Sequence, residues 1–188
     1  VWVGSALPRI PTGYMLTKFS RLQVVVVAGL VLAVGATLVA IAPGVTALVV
    51  GAAVMGLSSG LYFVTGNTFV SELFPSRVGR MLGIHGTANQ VAAVVAAPAI
   101  TLVLAAGADW EPVFTAVGVA GGEEWRAVFL ALAAASLVLT VVTYLAGRGT
   151  DLPDAGMDDR DLLGAARTEW RTILFGVAIM GTIGFAWQ

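Results

Sequence analysis

The feature that most constrains this chain is the recurrence of apolar runs long enough to cross a lipid bilayer. A spanning helix needs about 20 mostly apolar residues at about 1.5 Å of rise each. Four runs meet that length: Leu22 to Ala42, Val45 to Val70, Met81 to Ala106 and Trp125 to Ala146. Two partial runs flank them, Val1 to Leu16 and Thr172 to Gln188. A water-soluble globule of 188 residues has too little interior to hide so many. The chain is 58% hydrophobic and 11% charged, against about 45–50% and about 25% in soluble domains. The expected fold class is therefore an all-α membrane protein, a polytopic transmembrane helix bundle. Val1 to Leu7 read as a helix entered part-way, and the last apolar run stops at Gln188, so both ends are expected to be truncations of a longer protein.

The connections between runs set the orientation, because cytoplasmic loops collect Lys and Arg. Lys18 and Arg21 follow the first run, Arg77 and Arg80 the third, and Arg148, Arg160, Arg167 and Arg171 the fifth. Eight of the ten basic residues thus fall on alternate connections, which places those loops inside the cell. The opposite side receives the Pro43-Gly44 turn and the stretch from Gly107 to Glu124, whose charges are all acidic and which Trp110 and Trp125 bracket at the interface. Arg126 is the exception to this pattern. Residues 147–171 form the one long polar stretch and read as a cytoplasmic linker, with Asp161 to Arg171 a candidate surface helix carrying Leu162, Leu163, Ala166 and Trp170 on one face.

Several function classes drop out on composition. A net charge of −1, with the cations spread between apolar runs, argues against nucleic-acid binding. The absence of cysteine removes disulfides, thiolate metal sites and thiol nucleophiles. No Walker loop, HExxH or Ser/His nucleophile pattern appears, and Asp158-Asp159-Arg160-Asp161 reads as a solvated run. No metal or cofactor is expected, and the chain is not expected to be an enzyme. A membrane-embedded enzyme and a non-transporting membrane scaffold or sensor stand as the alternative functions.

The helix faces differ. The second and fifth runs are apolar nearly all round and are expected to face lipid. In the third, Gly51, Met55, Ser58, Tyr62 and Thr65 share one face, and Gly56, Gly60, Phe63 and Asn67 another. One side is expected to line a cavity and the small-residue side, with its Gly56-Gly60 pair, to pack. Pro98 is expected to bend the fourth run.

Two loops carry a family resemblance. Gly13-Tyr14-Met15-Leu16-Thr17-Lys18-Phe19-Ser20-Arg21-Leu22 resembles the loop between helices two and three of the major facilitator superfamily, through Gly13, Lys18 and Arg21. Thr17, Ser20 and Leu22 stand where the family has Asp, Gly and a basic residue. Glu72-Leu73-Phe74-Pro75, followed by Arg77, Gly79 and Arg80, looks like the family's short loop after helix four. The resemblance implies the N-terminal half of a major facilitator fold lacking the first helix. Residues 1–146 would then hold helices two to six, 147–171 the central linker and 172–188 the start of helix seven. It further implies secondary active transport, by symport or antiport, of a small-molecule solute by alternating access, with a proton or sodium as candidate coupling ion and lipid as surroundings. The expected location is a prokaryotic cell membrane. Gly13, Lys18, Arg21, Glu72, Arg77 and Arg80 are the cytoplasmic gating candidates, with a pair between Glu72 and a facing cation able to latch one conformation.

Other residues stand out on physical grounds. Arg9 lies nine positions before Lys18, about 13 Å inside the cytoplasmic edge if helical. A cation at that depth costs about 2.5–3.5 kcal/mol on the mildest scale, so it needs a partner. An anionic solute is the functional reading, and an internal salt bridge or snorkelling the structural one. Ser58 and Tyr62 join Arg9 as substrate-binding candidates. His85, the single histidine, and Asn89 one turn on are the proton-coupling candidates, since imidazole titrates near neutral pH.

Overall fold

The computed structural model describes residues 8–105, 110–116, 118 and 123–149, and residues 164, 167, 168, 170, 171 and 174. The chain divides into two compact units, Val1–Gly156 and Met157–Gln188. The first unit contains helices α1 (Arg9–Lys18), α2 (Arg21–Ala40), α3 (Val45–Leu73), α4 (Val78–Ala105), α5 (Glu111–Ala116) and α6 (Trp125–Gly147). Four of them, α2, α3, α4 and α6, are long and apolar enough to cross a membrane. They coincide with the four complete runs to within three residues at each end. In the second unit the described positions are helical. There the Thr168 hydroxyl donates to the Gly164 carbonyl at 2.9 Å, and the Arg171 guanidinium lies over the Trp170 ring. Most of the polar stretch and of the last apolar run lies outside the described residues.

Local chemistry explains where the helices start and stop. At the α1–α2 junction Ser20 forms a capping box. Its hydroxyl accepts from the Gln23 amide at 3.2 Å, and the Gln23 side chain accepts from the Ser20 amide at 3.0 Å. Two otherwise orphaned donors are satisfied reciprocally, so a serine where the resemblance expected glycine begins α2. Within the helices, hydroxyls turn back on their own backbones, as Thr65 does to Leu61, Thr87 to Gly83 and Thr101 to Ala97. That is the cheapest way to satisfy a donor where there is no water. α4 runs without interruption through Pro98.

α2 is the centre of the described bundle, packing along α3 on one side and α6 on the other. This differs from the expectation that it faces lipid. Its buried residues are Val24, Ala28, Ala33, Gly35, Ala36, Val39 and Ala40, mostly small, while Val27, Leu30 and Val34 on its other side are exposed. An apolar periphery cannot distinguish lipid from protein contact, but the small side chains can, because close helix approach in a membrane depends on them. The backbones of α2 and α3 approach closely at Gly35 and Gly51. A Cβ on Gly35 would lie 2.7 Å from the Met55 amide nitrogen, and one on Gly51 would lie 2.8 Å from the Val39 amide nitrogen. Gly56 and Gly60, singled out from the sequence, are also buried. On the α6 side, a Cβ on Gly29 would collide with the Thr140 hydroxyl. Two cross-helix hydrogen bonds flank this seam: Ser58 of α3 donates to the Ala28 carbonyl at 2.7 Å, and Ser136 of α6 to the Gly29 carbonyl at 2.9 Å.

The position of Arg126 accounts for its departure from the charge pattern. Its guanidinium donates to the Ala40 carbonyl at 2.6 Å and to the Ala42 carbonyl at 2.9 Å, and its central carbon lies 4.8 Å from the centroid of the Trp125 ring. The carbonyls at and just beyond the end of α2 sit at the negative end of its dipole, so a forked cation from α6 closes them. Replacing Arg126 with alanine should lower stability by about 1–2 kcal/mol, the range for charged hydrogen bonds at a partly exposed site. Arg126→Lys, which keeps the charge without the fork, should fall between. Thermal unfolding in detergent would check both, and equal stability for all three proteins would remove the cap from the account.

The outer stretch contains α5, a short helix the sequence did not announce, whose Phe114 is buried. α4 buries no residue and touches α3 and α6 only sparsely.

Candidate functional site

The candidate residues sort into two groups by height along the helices. The first gathers where α1 ends, α2 begins and α3 ends. Here Arg21 and Glu72 form an ion pair at 2.8 Å, with side chains only 12% and 23% exposed. The pair is single-pronged: the Nε and NH1 groups of Arg21 and the second carboxylate oxygen of Glu72 are buried without a hydrogen-bond partner among the described residues. A pair joined by one nitrogen and one oxygen is held less firmly than a bidentate one. Beneath it lies the core cluster of Val24, Ala28 and Leu61, flanked by Met15, Leu16 and Val31.

The other gating candidates lie on α1, on the turn between α3 and α4, and at the start of α4. Lys18 ends α1 and places its ammonium over the Tyr14 ring at 5.0 Å. Gly13 has open space where a Cβ would stand. Thr17, at the position where the resemblance expected Asp, donates its hydroxyl to the Tyr14 carbonyl at 2.7 Å. Arg77 and Arg80 are exposed on the turn into α4 and its first residues.

The second group sits deeper. Arg9 is the first residue of α1, Tyr62 and Phe63 lie 11 and 10 residues before the end of α3, and His85 is seven residues into α4. At helical rise all four stand roughly 10–16 Å from the basic ends of their helices, in one layer. The Arg9 guanidinium lies 4.8 Å above the centroid of the Phe63 ring. The Tyr62 ring meets the His85 imidazole at 5.9 Å, tilted by 49°. Gly66 makes room for that ring, which passes 3.2 Å from where a Cβ would be. Asn89 is exposed one turn beyond His85.

A cleft of about 560 Å³ opens between α2, α3 and α6 at this level and deeper. Its polar groups are the hydroxyls of Ser58, Ser59, Tyr62, Ser136, Thr140 and Thr143. Ser58, Ser136 and Thr140 have committed their donors to backbone carbonyls, while those of Ser59, Tyr62 and Thr143 have no partner among the described residues. A second hollow, of about 640 Å³, surrounds the Pro43-Gly44 turn. It is the larger, but it is lined almost wholly by apolar side chains and lies at the opposite end from the paired charges, so we place no function there.

The arrangement is an apolar bundle with an exposed arginine and a histidine in one layer, and an ion pair at its basic end. The Major Facilitator Superfamily model matches residues 1–187. The chain belongs to the Major Facilitator Superfamily. It is therefore a transporter-family protein, integral to the membrane and multi-pass, and the described unit is a partial helix bundle of that fold. Neither a curated protein nor a solved structure gives a significant match to the chain.

Sequence reasoning missed three contributors to this superfamily bundle. Phe63 was assigned to a packing face, yet it carries Arg9. Gly66 signals its role in the sequence only through its spacing of four from Tyr62. Gly35 could have been found by pairing small residues between the second and third runs.

Proposed function

We propose that this protein is a secondary transporter that moves a small anionic solute across the membrane by alternating access, with Arg9 as the charged contact. The observation that carries the reading is the state of Arg9. Its guanidinium lies against Phe63, and no hydrogen bond or ion pair engages it among the described residues. A guanidinium held over an aromatic ring spends none of its hydrogen-bond donors on that contact, which suits it to a carboxylate or an oxyanion. Tyr62 adds a hydroxyl at the same level. The donor of Ser58 serves Ala28 in this conformation and becomes available to solute only if α2 and α3 separate.

In this reading α1 to α4 and α6 take the places of the family's second to sixth helices. Residues 147–171 are the central linker and 172–188 begin the second bundle. The Arg21–Glu72 pair fastens α2 to the end of α3 in one access state. His85 and Asn89 provide proton coupling.

Uptake into proteoliposomes tests the anion contact. Arg9→Gln should reduce uptake of the anionic solute roughly tenfold at subsaturating concentration, the factor for losing about 1.4 kcal/mol of charged hydrogen bonding. Neutral solutes should be unaffected. Equal loss for neutral and anionic solutes, or no loss at all, would rule out Arg9 as the anion contact.

A further inference from the structure

Tyr62 and Phe63 are consecutive residues of α3, yet they serve different neighbours. Side chains one residue apart on a helix project about 100° apart. Phe63 accordingly turns to α1 and lies under Arg9, while Tyr62 turns to α4 and meets His85. α1 and α4 each pack on α3, so Arg9 and His85 both contact the same helix. Both contacts are ring contacts with no hydrogen bond to tolerate displacement, and their strength depends on ring angle and separation.

α4 buries no residue in the described bundle. Its seat on α3 therefore depends on few contacts, of which Tyr62–His85 is one. We propose that Tyr62 and Phe63 are positioning residues that tie the protonation of His85 to the placement of Arg9, an inference that rests on reading Arg9 as the solute contact. An imidazolium is drawn to the tyrosine ring face more strongly than a neutral imidazole. Protonation thereby changes how α4 holds Tyr62, and any rotation of α3 that follows moves Phe63 beneath the Arg9 guanidinium.

The other described ionisable groups on α4 and on the helices packed against it do not take over this role. On α3, Glu72 is engaged by Arg21. On α6, Arg126 caps α2, and neither Tyr144 nor Arg148 makes a hydrogen bond or ion pair with His85. On α4 itself, Arg80 is exposed near the helix start.

The chain has no cysteine, so a single engineered thiol reports without background. Tyr14→Cys places one on an exposed position of α1. Its maleimide labelling rate in proteoliposomes is compared with the same rate in a His85→Gln background, a ratio that cancels the thiol's own titration. We expect this ratio to change about threefold between about pH 5.5 and about pH 8, a modest population shift. Tyr62→Leu and Phe63→Leu should each flatten it, and Tyr62→Phe, which keeps the ring, should preserve it. Where a leucine variant does not reconstitute, Tyr62→Met or Phe63→Met is used with the same expectation.

A flat ratio in the parent would overturn the proposal, as would a pH response that survives loss of either ring or one that Tyr62→Phe abolishes. The underlying reading fails separately. If Arg9→Gln leaves anion uptake intact, the solute contact is wrong whatever the labelling shows. If anion uptake is lost while the parent ratio is flat, only the link is wrong.

Discussion

Replacing Glu72 with alanine is expected to destabilise the bundle by about 3 kcal/mol. Removing one member of a buried ion pair usually costs about 3–5 kcal/mol, because the remaining charge loses its partner but stays away from water. Here Arg21 is 12% and Glu72 23% exposed, which moves the expectation toward the lower end. The Nε and NH1 groups of Arg21 already lack partners among the described residues, so the substitution would leave the whole guanidinium unpaired. Arg21→Met, which removes the cation and keeps much of the side-chain length, should cost less when combined with Glu72→Ala than the two single changes summed. A double-mutant cycle on reversible unfolding in mixed micelles measures that coupling. Additive single effects would mean the pair contributes nothing beyond two solvated charges.

Gly51→Leu should be at least as damaging, about 3 kcal/mol or more, by a different mechanism. Any Cβ at this position meets the Val39 amide nitrogen at 2.8 Å and the Gly35 carbonyl oxygen at 3.2 Å. A flexible side chain could move aside, but these are backbone atoms of α2. α2 and α3 would have to separate, weakening the Ser58–Ala28 hydrogen bond and the contacts of Val39. Overpacking a fitted interface typically costs about 1–3 kcal/mol, and the backbone clash places this case at the top of that range or above it. Gly83→Ala is the matched control. It lies in α4 with nothing within 4 Å of its absent Cβ, so alanine should be neutral or stabilise by up to about 1 kcal/mol through helix propensity. Comparable unfolding of both variants would show that helix flexibility, and not the α2–α3 approach, governs the Gly51 position.

Much of the architecture was legible before any coordinates. Lys18, Arg21, Arg77, Arg80 and Arg148 mark the same ends of the first five runs, and the structure gives helices Arg9–Lys18, Arg21–Ala40, Val45–Leu73, Val78–Ala105 and Trp125–Gly147 where those runs lie. Less of the site was legible. The sequence named Arg21 and Glu72 as members of one charged set, but 50 positions separate them, and pairing across that distance depends on how α2 and α3 cross. His85 and Tyr62 were chosen for unrelated reasons, and only packing of α4 on α3 brings their rings together. Arg126 looked like an irregularity in the loop charges because its partners, the Ala40 and Ala42 carbonyls, are backbone groups that no residue pattern displays.

What the sequence determined by itself is membership of the lipid phase and the order of the spans. Both follow from local quantities: the length of each apolar run, set against bilayer thickness, and the sign of the charges between runs. Which helix lies at the centre was left to tertiary structure. α2 and α6 have similarly apolar surfaces, and in a lipid environment hydrophobicity offers no preference between a neighbouring helix and an acyl chain. Shape and hydrogen bonding supply that preference instead. Gly35 against Gly51, Ser58 on Ala28, Ser136 on Gly29 and Arg126 across the end of α2 exist only once the helices are side by side.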